Sequence, residues 1–135
     1  MNGDVPYSKF FIITDEKVRK FAKVSEDNNP IHIDDDYAKD TIFKERIAHG
    51  MLIGGFISSV IGNDFPGNGT IYLSQNLKFL SPVKIGSKVK VEIRIIDQNE
   101  KGWLKLGTNV KDEYDKLIIE GEAMVIPPKG FKYIS

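Results

Sequence analysis

Two side chains suited to acid and base catalysis lie in the segment SEDNNPIH, which runs from Ser25 to His32. Asp27 and His32 are five positions apart, so a continuous helix would direct them about 140° apart. Because Pro30 disfavours helical angles at Asn29, we expect a helix to end before this point and the chain to continue as a bent, extended loop. The amide of Asn29 is suited to hydrogen-bond its own turn and hold that loop still.

An aspartate and a histidine that meet at one point can hold a water molecule between them. The carboxylate takes or orients one water proton, and the imidazole, whose pKa is near neutral, passes a proton to or from carbon. Each such transfer accelerates a reaction by roughly 10²- to 10⁴-fold. On this motif alone, a helix-terminal Asp27 and a structural loop histidine at His32 explain the pattern equally well.

The segment RIAHGMLIGG, from Arg46 to Gly55, supplies a second signal because it leads into an apolar helix with Gly50 in the first turn. Backbone N–H groups there have no partner within the helix. They are suited to hold a developing oxyanion, such as the enolate oxygen of a thioester. Loss of one such donor costs about 2.7 to 4 kcal/mol in the barrier. The alternative is that Gly50 only allows close packing.

The remaining sequence predicts the elements that must position these groups. The apolar tract from Ile47 to Ile61 has apolar residues on every side of a helix, which predicts a helix buried all round. A short amphipathic helix, capped by Thr14 or Asp15, precedes the first motif. Alternating apolar residues predict antiparallel strands around Phe10 to Ile13 and at Ile71–Phe79, Lys88–Asp97, Trp103–Val110 and Leu117–Ile126.

This pattern predicts an α+β fold. The last three strands follow one another through short polar turns, so they form a meander. An antiparallel sheet curled around one long apolar helix is the most economical way to cover that helix. The curled sheet leaves open edges, and we therefore expect pairing with a second copy of the chain.

Composition narrows the possible partners. The chain has 135 residues, 41% of them hydrophobic, which suits one globular domain. Nineteen basic residues balance nineteen acidic ones, so the net charge of zero disfavours nucleic acid and an anionic membrane as partners. There is no cysteine to form disulfides, thiolate metal sites or a nucleophile, and MNGDVPYSKF does not resemble a secretion leader. We expect a cytoplasmic protein.

Taken together, the two segments resemble the MaoC-like, (R)-specific enoyl-CoA hydratases of the hot-dog fold. The family's signature Gly-Asp-x-Asn-Pro-x-His, followed by a small residue, is matched by the run from Asp27 to His32 and by Ala38. Its second motif, Arg-Ile-x-His-Gly-Met-Leu, is matched by the run from Arg46 to Leu52. One departure is visible, since Glu26 stands where the family has glycine. A carboxylate there would raise the pKa of Asp27 if it pointed inward.

The resemblance implies a role for each matching residue. Asp27 and His32 would activate the water that adds to the β-carbon, and Asn29 would orient their loop. Gly50 would donate its N–H to the thioester oxygen, and Ser58, further along the same helix, would supply a supporting hydrogen bond.

The resemblance also implies a single hot-dog domain over residues 1–135 and an acyl-CoA thioester substrate. CoA would be part of the substrate, with no metal and no other cofactor. A homodimer or higher homo-oligomer is implied, in which the acyl tunnel forms partly between subunits.

Several alternatives stay open at this point. The same chemistry serves dehydration of an acyl-carrier-protein thioester, and the fold also suits a thioesterase or a non-catalytic acyl-thioester binding module. A metal site is disfavoured because His32 and His49 lack a third ligand at metal spacing. The acidic run from Asp34 to Asp36 lacks the glycine of a calcium loop and is better explained as a helix cap.

Overall fold

The computed structural model describes residues 5–132 of the chain. Within this range the secondary-structure elements follow the order that the sequence predicts, with two further one-turn helices, one that begins within the first motif and one that follows it. In chain order they are β1 (Tyr7–Ile12), α1 (Asp15–Ser25), α2 (Pro30–Ile33), α3 (Asp35–Lys39), α4 (Gly50–Asn63), β2 (Ile71–Phe79), β3 (Lys88–Gln98), β4 (Leu104–Asp112) and β5 (Leu117–Ile126).

All five strands form one antiparallel sheet with the order β1-β3-β4-β5-β2. The predicted meander of β3, β4 and β5 is confirmed, and β1 and β2 complete the two edges. Along β3 the alternation works as predicted, because the side chains of Val89, Val91, Ile93 and Ile95 are buried. This apolar face of the sheet packs on the core that α4 fills.

Helix α4 provides the centre of the core through Leu52, Ile53, Ile57, Val60 and Ile61. The sheet therefore wraps a long central helix, and the predicted α+β fold is confirmed.

The prediction that α4 is buried on every side is wrong for the single chain. Met51 is 59% exposed, and Gly55 and Ser58 are exposed on the same helical face. Apolar residues on all sides therefore do not mean that one sheet covers them all. A second surface is needed to bury the remaining stripe.

The segment before α4 differs from the sequence prediction in one way. Pro30 does not extend the loop but begins the one-turn helix α2, with Asn29 as its N-cap. Proline is favoured in the first turn of a helix because its missing N–H has no partner there anyway. Among the described residues, no helix has the length and apolar character needed to cross a membrane.

Candidate active site

A cavity of about 360 Å³ opens beside the N-terminus of α4. Its polar lining comes from both sequence motifs, with Asp27 and His32 from the first and His49 and Gly50 from the second. The rest of the lining is mostly apolar and includes Phe43, Ile47, Met51, Ile53, Phe79, Leu80, Pro82, Val83 and Ile119. The cavity thus has one polar end and an apolar body, as a site for an acyl chain would need.

Asp27 reaches the cavity because α1 stops at Ser25 and the chain turns. Its backbone N–H donates to the hydroxyl of Ser25 at 3.2 Å, and its carboxylate accepts from the backbone N–H of Asn29 at 3.3 Å. Both bonds are local, so they hold the carboxylate at the start of the bend. The side chain is exposed in the single chain and faces the cavity from its rim.

His32 lies on α2 and is held by its ring. Its Nδ1 lies 2.7 Å from the carbonyl oxygen of Ile47, which can only accept, so Nδ1 carries the hydrogen and donates. In the neutral ring, Nε2 then keeps its lone pair for proton transfer. The Asn29 side chain accepts from the N–H of Ile31 at 3.3 Å, which fixes the start of this short helix. This is how Asn29 orients the loop.

The two predicted residues meet, as their roles require. One ligating atom each from Asp27, His32 and His49 lies within 4.8 Å of the other two. A water molecule bound between a carboxylate oxygen and a ring nitrogen can hydrogen-bond to both at that separation. The turn at Asn29 and the helix that begins at Pro30 thus bring two residues that are five positions apart into one site.

These three residues are also the group that could hold a metal ion among residues 5–132. The two imidazoles, however, are stacked, with ring centroids 3.9 Å apart and planes tilted by 27°. Their lone pairs therefore lie in two nearly parallel planes that are stacked face to face, whereas shared coordination needs them to converge on one ion. The geometry suits acid and base chemistry better than metal binding.

His49 is a member of the site that the sequence analysis did not assign. It is 2% exposed, packs against His32, and contacts the edge of Phe21 with 4.8 Å between ring centroids. Its Nε2 donates to the carbonyl oxygen of Asp27 at 3.1 Å. Burial lowers the pKa of His49, so its ring is neutral at neutral pH. Its position directly before Gly50 in the second motif was the signal that could have identified it.

Gly50 begins α4, and its place is fixed by Phe79 of β2. A Cβ at Gly50 would lie 2.5 Å from Cε1 of Phe79, closer than real side chains approach. The absence of a side chain therefore lets the start of the helix lie directly against the cavity. The helix N-cap, His49, makes no side-chain capping bond, so its ring does not occupy the first N–H groups of α4.

The family model described as "MaoC like domain" matches residues 3–115, which include both motifs and all of the cavity lining except Ile119. The chain belongs to the MaoC-like family. This MaoC-like chain is 44% identical over 117 residues to a protein of Rhodospirillum rubrum named (R)-specific enoyl-CoA hydratase, covering 86% of this chain and 81% of that one. It is 39% identical over 120 residues to a 3-hydroxybutyryl-CoA dehydratase of Methylorubrum extorquens, covering 87% and 74%.

Among solved structures, the MaoC-like chain resembles the R-hydratase PhaJ1 from Pseudomonas aeruginosa in its unliganded form. The TM-score is 0.90 at 39% identity, over 96% of this chain and 86% of that chain. The hot-dog fold predicted from the sequence is confirmed by this similarity.

Ser58 is the predicted residue that the MaoC-like chain does not bring to the site. It is exposed and does not line the cavity. It follows Gly50 by eight positions, which places it about 12 Å further along the helix axis. The single chain therefore does not show the supporting bond from Ser58, which stays a prediction.

Glu26 occupies the glycine position of the MaoC-like signature, and the backbone shows why glycine suits it. Glu26 ends α1 with φ of 65°, in the left-handed region where a side chain is disfavoured. Its side chain is exposed. Glu26 in place of the family's glycine therefore changes the residue that ends α1, and its exposed carboxylate does not line the cavity.

Arg46, which opens the second motif, ties the short helices of the MaoC-like chain together. Its guanidinium is bonded to Asp15 at 2.6 Å, to Asp35 at 2.9 Å and to the carbonyl oxygen of His32 at 3.2 Å. These partners belong to α1, α3 and α2, respectively. A residue that does not itself line the cavity thus fixes the backbone that carries His32.

Proposed function

We propose that this chain is an (R)-specific enoyl-CoA hydratase, which adds water reversibly to trans-2-enoyl-CoA to give (R)-3-hydroxyacyl-CoA. The observation that carries the proposal is the meeting of Asp27 and His32 at the polar end of an apolar cavity. The names of the two relatives support the same reaction, since one is named for hydration and the other for the reverse dehydration.

In the proposed mechanism, Asp27 holds the water by accepting a hydrogen bond from one of its protons. Nε2 of His32 takes the other proton as the water oxygen bonds to C3 of the enoyl group. The C2=C3 double bond becomes single, and His32 returns that proton to C2. Water and proton both arrive from the side of the Asp27–His32 pair, so the addition is syn.

Charge develops on the thioester oxygen while C2 awaits its proton. We propose that the N–H of Gly50 donates to this oxygen, with the partial positive charge at the start of α4 adding to the effect. The reaction uses no metal and no cofactor, and CoA takes part only as the thiol half of a thioester that stays intact.

A homodimer is part of the proposal. The exposed stripe of α4 at Met51, Gly55 and Ser58 lies next to edge strand β2, where Ile71 and Leu73 are also exposed. An open sheet edge and an apolar helical face of this kind are suited to a second copy of the chain. Cytoplasmic location stays a prediction.

The test is the reaction of purified protein with crotonyl-CoA. We expect loss of the absorbance of the conjugated thioester, release of no free thiol, and a 3-hydroxybutyryl product of the R configuration. Release of free CoA would instead identify a thioesterase, and binding without either change would identify a binding module.

The same assay with a crotonyl thioester of acyl-carrier protein separates the remaining alternative. We expect a higher kcat/KM for the CoA thioester. A higher value for the carrier-protein thioester would make the chain a 3-hydroxyacyl-[acyl-carrier-protein] dehydratase.

A further inference from the structure

We infer that His49 is a positioning residue, which holds Asp27 and His32 at their working separation through one hydrogen bond and one ring contact. The inference rests on the proposed function and adds to it a residue that touches both members of the pair. It is carried by the contacts of the His49 ring.

The first contact is the bond from His49 Nε2–H to the carbonyl oxygen of Asp27, at 3.1 Å. The bond spans 22 positions of sequence and joins the start of α4 to the turn after α1. The other bonds of Asp27 run to Ser25 and Asn29, within its own turn. The bond to His49 is therefore what fixes this turn relative to the rest of the cavity.

The second contact is the stack of the His49 and His32 rings, with centroids 3.9 Å apart. The bond from His32 Nδ1 to Ile47 holds the ring at one nitrogen, so rotation about that contact would still move Nε2. The face of His49 lies against the ring and blocks this swing. Phe21 packs on His49 edge-on at 4.8 Å and supports it from the protein interior.

The other ring nitrogen of His49, Nδ1, shows that the side chain is not a fully hydrogen-bonded core histidine. Nδ1 is buried and has no hydrogen-bond partner among the described residues. Since the buried ring is neutral and its hydrogen is on Nε2, Nδ1 is an unpaired acceptor. An unpaired acceptor is unfavourable in a core. We therefore attribute the presence of histidine at this position to its Nε2 hydrogen bond and its ring stack.

The two nitrogens of His49 can be tested separately with two amides. The amide nitrogen of glutamine lies near the place of Nε2, whereas the shorter asparagine places its amide near Nδ1. His49→Gln thus keeps a donor for the Asp27 carbonyl, and His49→Asn removes it. His49→Gln is therefore the matched control for His49→Asn, because both variants lose the ring and only asparagine loses the donor.

We expect His49→Asn to lower kcat for crotonyl-CoA by about 100-fold, the usual effect of misplacing a catalytic group by about 1 Å. KM should change by less than about 3-fold, because substrate contacts remain. His49→Gln should stay within about 10-fold of wild type, and the remaining loss reflects the missing ring contact with His32. Equal kcat values for the Gln and Asn variants would overturn the inference.

Crystal structures of the wild type and His49→Asn give a readout that does not need activity. We expect the Asp27 carboxylate to move away from His32 by about 1 Å or more in the variant. An unmoved pair would overturn the inference even if the wild type proved inactive on enoyl-CoA, and that inactivity would by itself reject only the proposed function. If His49→Asn does not fold, His49→Met against His49→Gln makes the same comparison at equal side-chain length.

Discussion

At the scale of single residues, Asp27, His32 and His49 meet at the polar end of the cavity, and His49 touches both of the other two. Asp27 and His32 stood out because a carboxylate and an imidazole flank an Asn-Pro turn, and the structure brings them together. His49 did not stand out, because its importance depends on the carbonyl of Asp27 and the ring of His32, both far from it in sequence. A contact of that kind exists only after the chain has folded.

Gly50 gives a residue-scale prediction. In Gly50→Ala the new methyl group would meet the ring of Phe79, which lines the cavity and must then move into it. We expect kcat/KM for crotonyl-CoA to fall by about 100-fold, as for other displacements of about 1 Å at a catalytic centre.

The matched control is Gly62→Ala in the same helix, where an added Cβ meets nothing within 4 Å. Its turnover should stay within about 2-fold of wild type, and its melting temperature should be equal or higher because alanine favours the helix. Unchanged kcat/KM in Gly50→Ala would show that the close approach of α4 to Phe79 does not shape the site.

At the scale of elements, Pro30 shows where sequence rules conflict. Proline excludes helical angles from the preceding residue, which predicts a loop, and it also suits the first turn of a new helix. The second effect prevails because Asn29 caps that turn and Arg46 binds the carbonyl of His32. The sequence could not show that Arg46 would lie there.

The ion pairs of Arg46 with Asp15 and Asp35 predict how the stability of the fold depends on pH. The hydrogen bond from Arg46 lowers the pKa of the Asp15 carboxyl below the ordinary value. A lowered pKa in the folded state means that the contribution of Asp15 is complete above the unfolded pKa of about 3.9 and is lost as pH falls through the folded value.

We therefore expect Asp15→Asn to lower the melting temperature by a constant amount between about pH 5 and 7, with the difference from wild type shrinking below about pH 4. Asp36→Asn is the control, since the Asp36 side chain is 93% exposed and, within residues 5–132, its ion pair is with Lys39 at 3.8 Å. A deficit of Asp15→Asn that persists unchanged at pH 3 would contradict the assigned role of the Asp15–Arg46 pair.

At the scale of the whole molecule, the sequence predicted the meander and the central helix but not the complete sheet order. Alternation along β3, β4 and β5 with short turns between them specifies neighbours directly. The places of β1 and β2 depend on long-range pairing, of β1 with β3 and of β2 with β5, which no local pattern encodes. The stripe of α4 that stays exposed likewise could not be foreseen from an apolar helix.

The exposed stripe and edge strand β2 lead to a prediction of assembly. We expect sedimentation equilibrium to give the mass of two chains for the wild type. A charge in the interface should block edge pairing, so Leu73→Lys on β2 should sediment as a single chain. Tyr114→Lys, at an 83% exposed residue in the turn after β4, should stay dimeric. A monomeric wild type would reject the proposed assembly.

The central claim is that Asp27 and His32 together activate water, and its most direct measurement is turnover of crotonyl-CoA by Asp27→Asn and His32→Ala. We expect each change to lower kcat by roughly 10²- to 10⁴-fold. The double variant should be little worse than the poorer single one, because the two residues act as a unit. Folding should be retained, as judged by melting temperature, because neither side chain is fully buried. A folded variant at either position with near-wild-type kcat would contradict the claim.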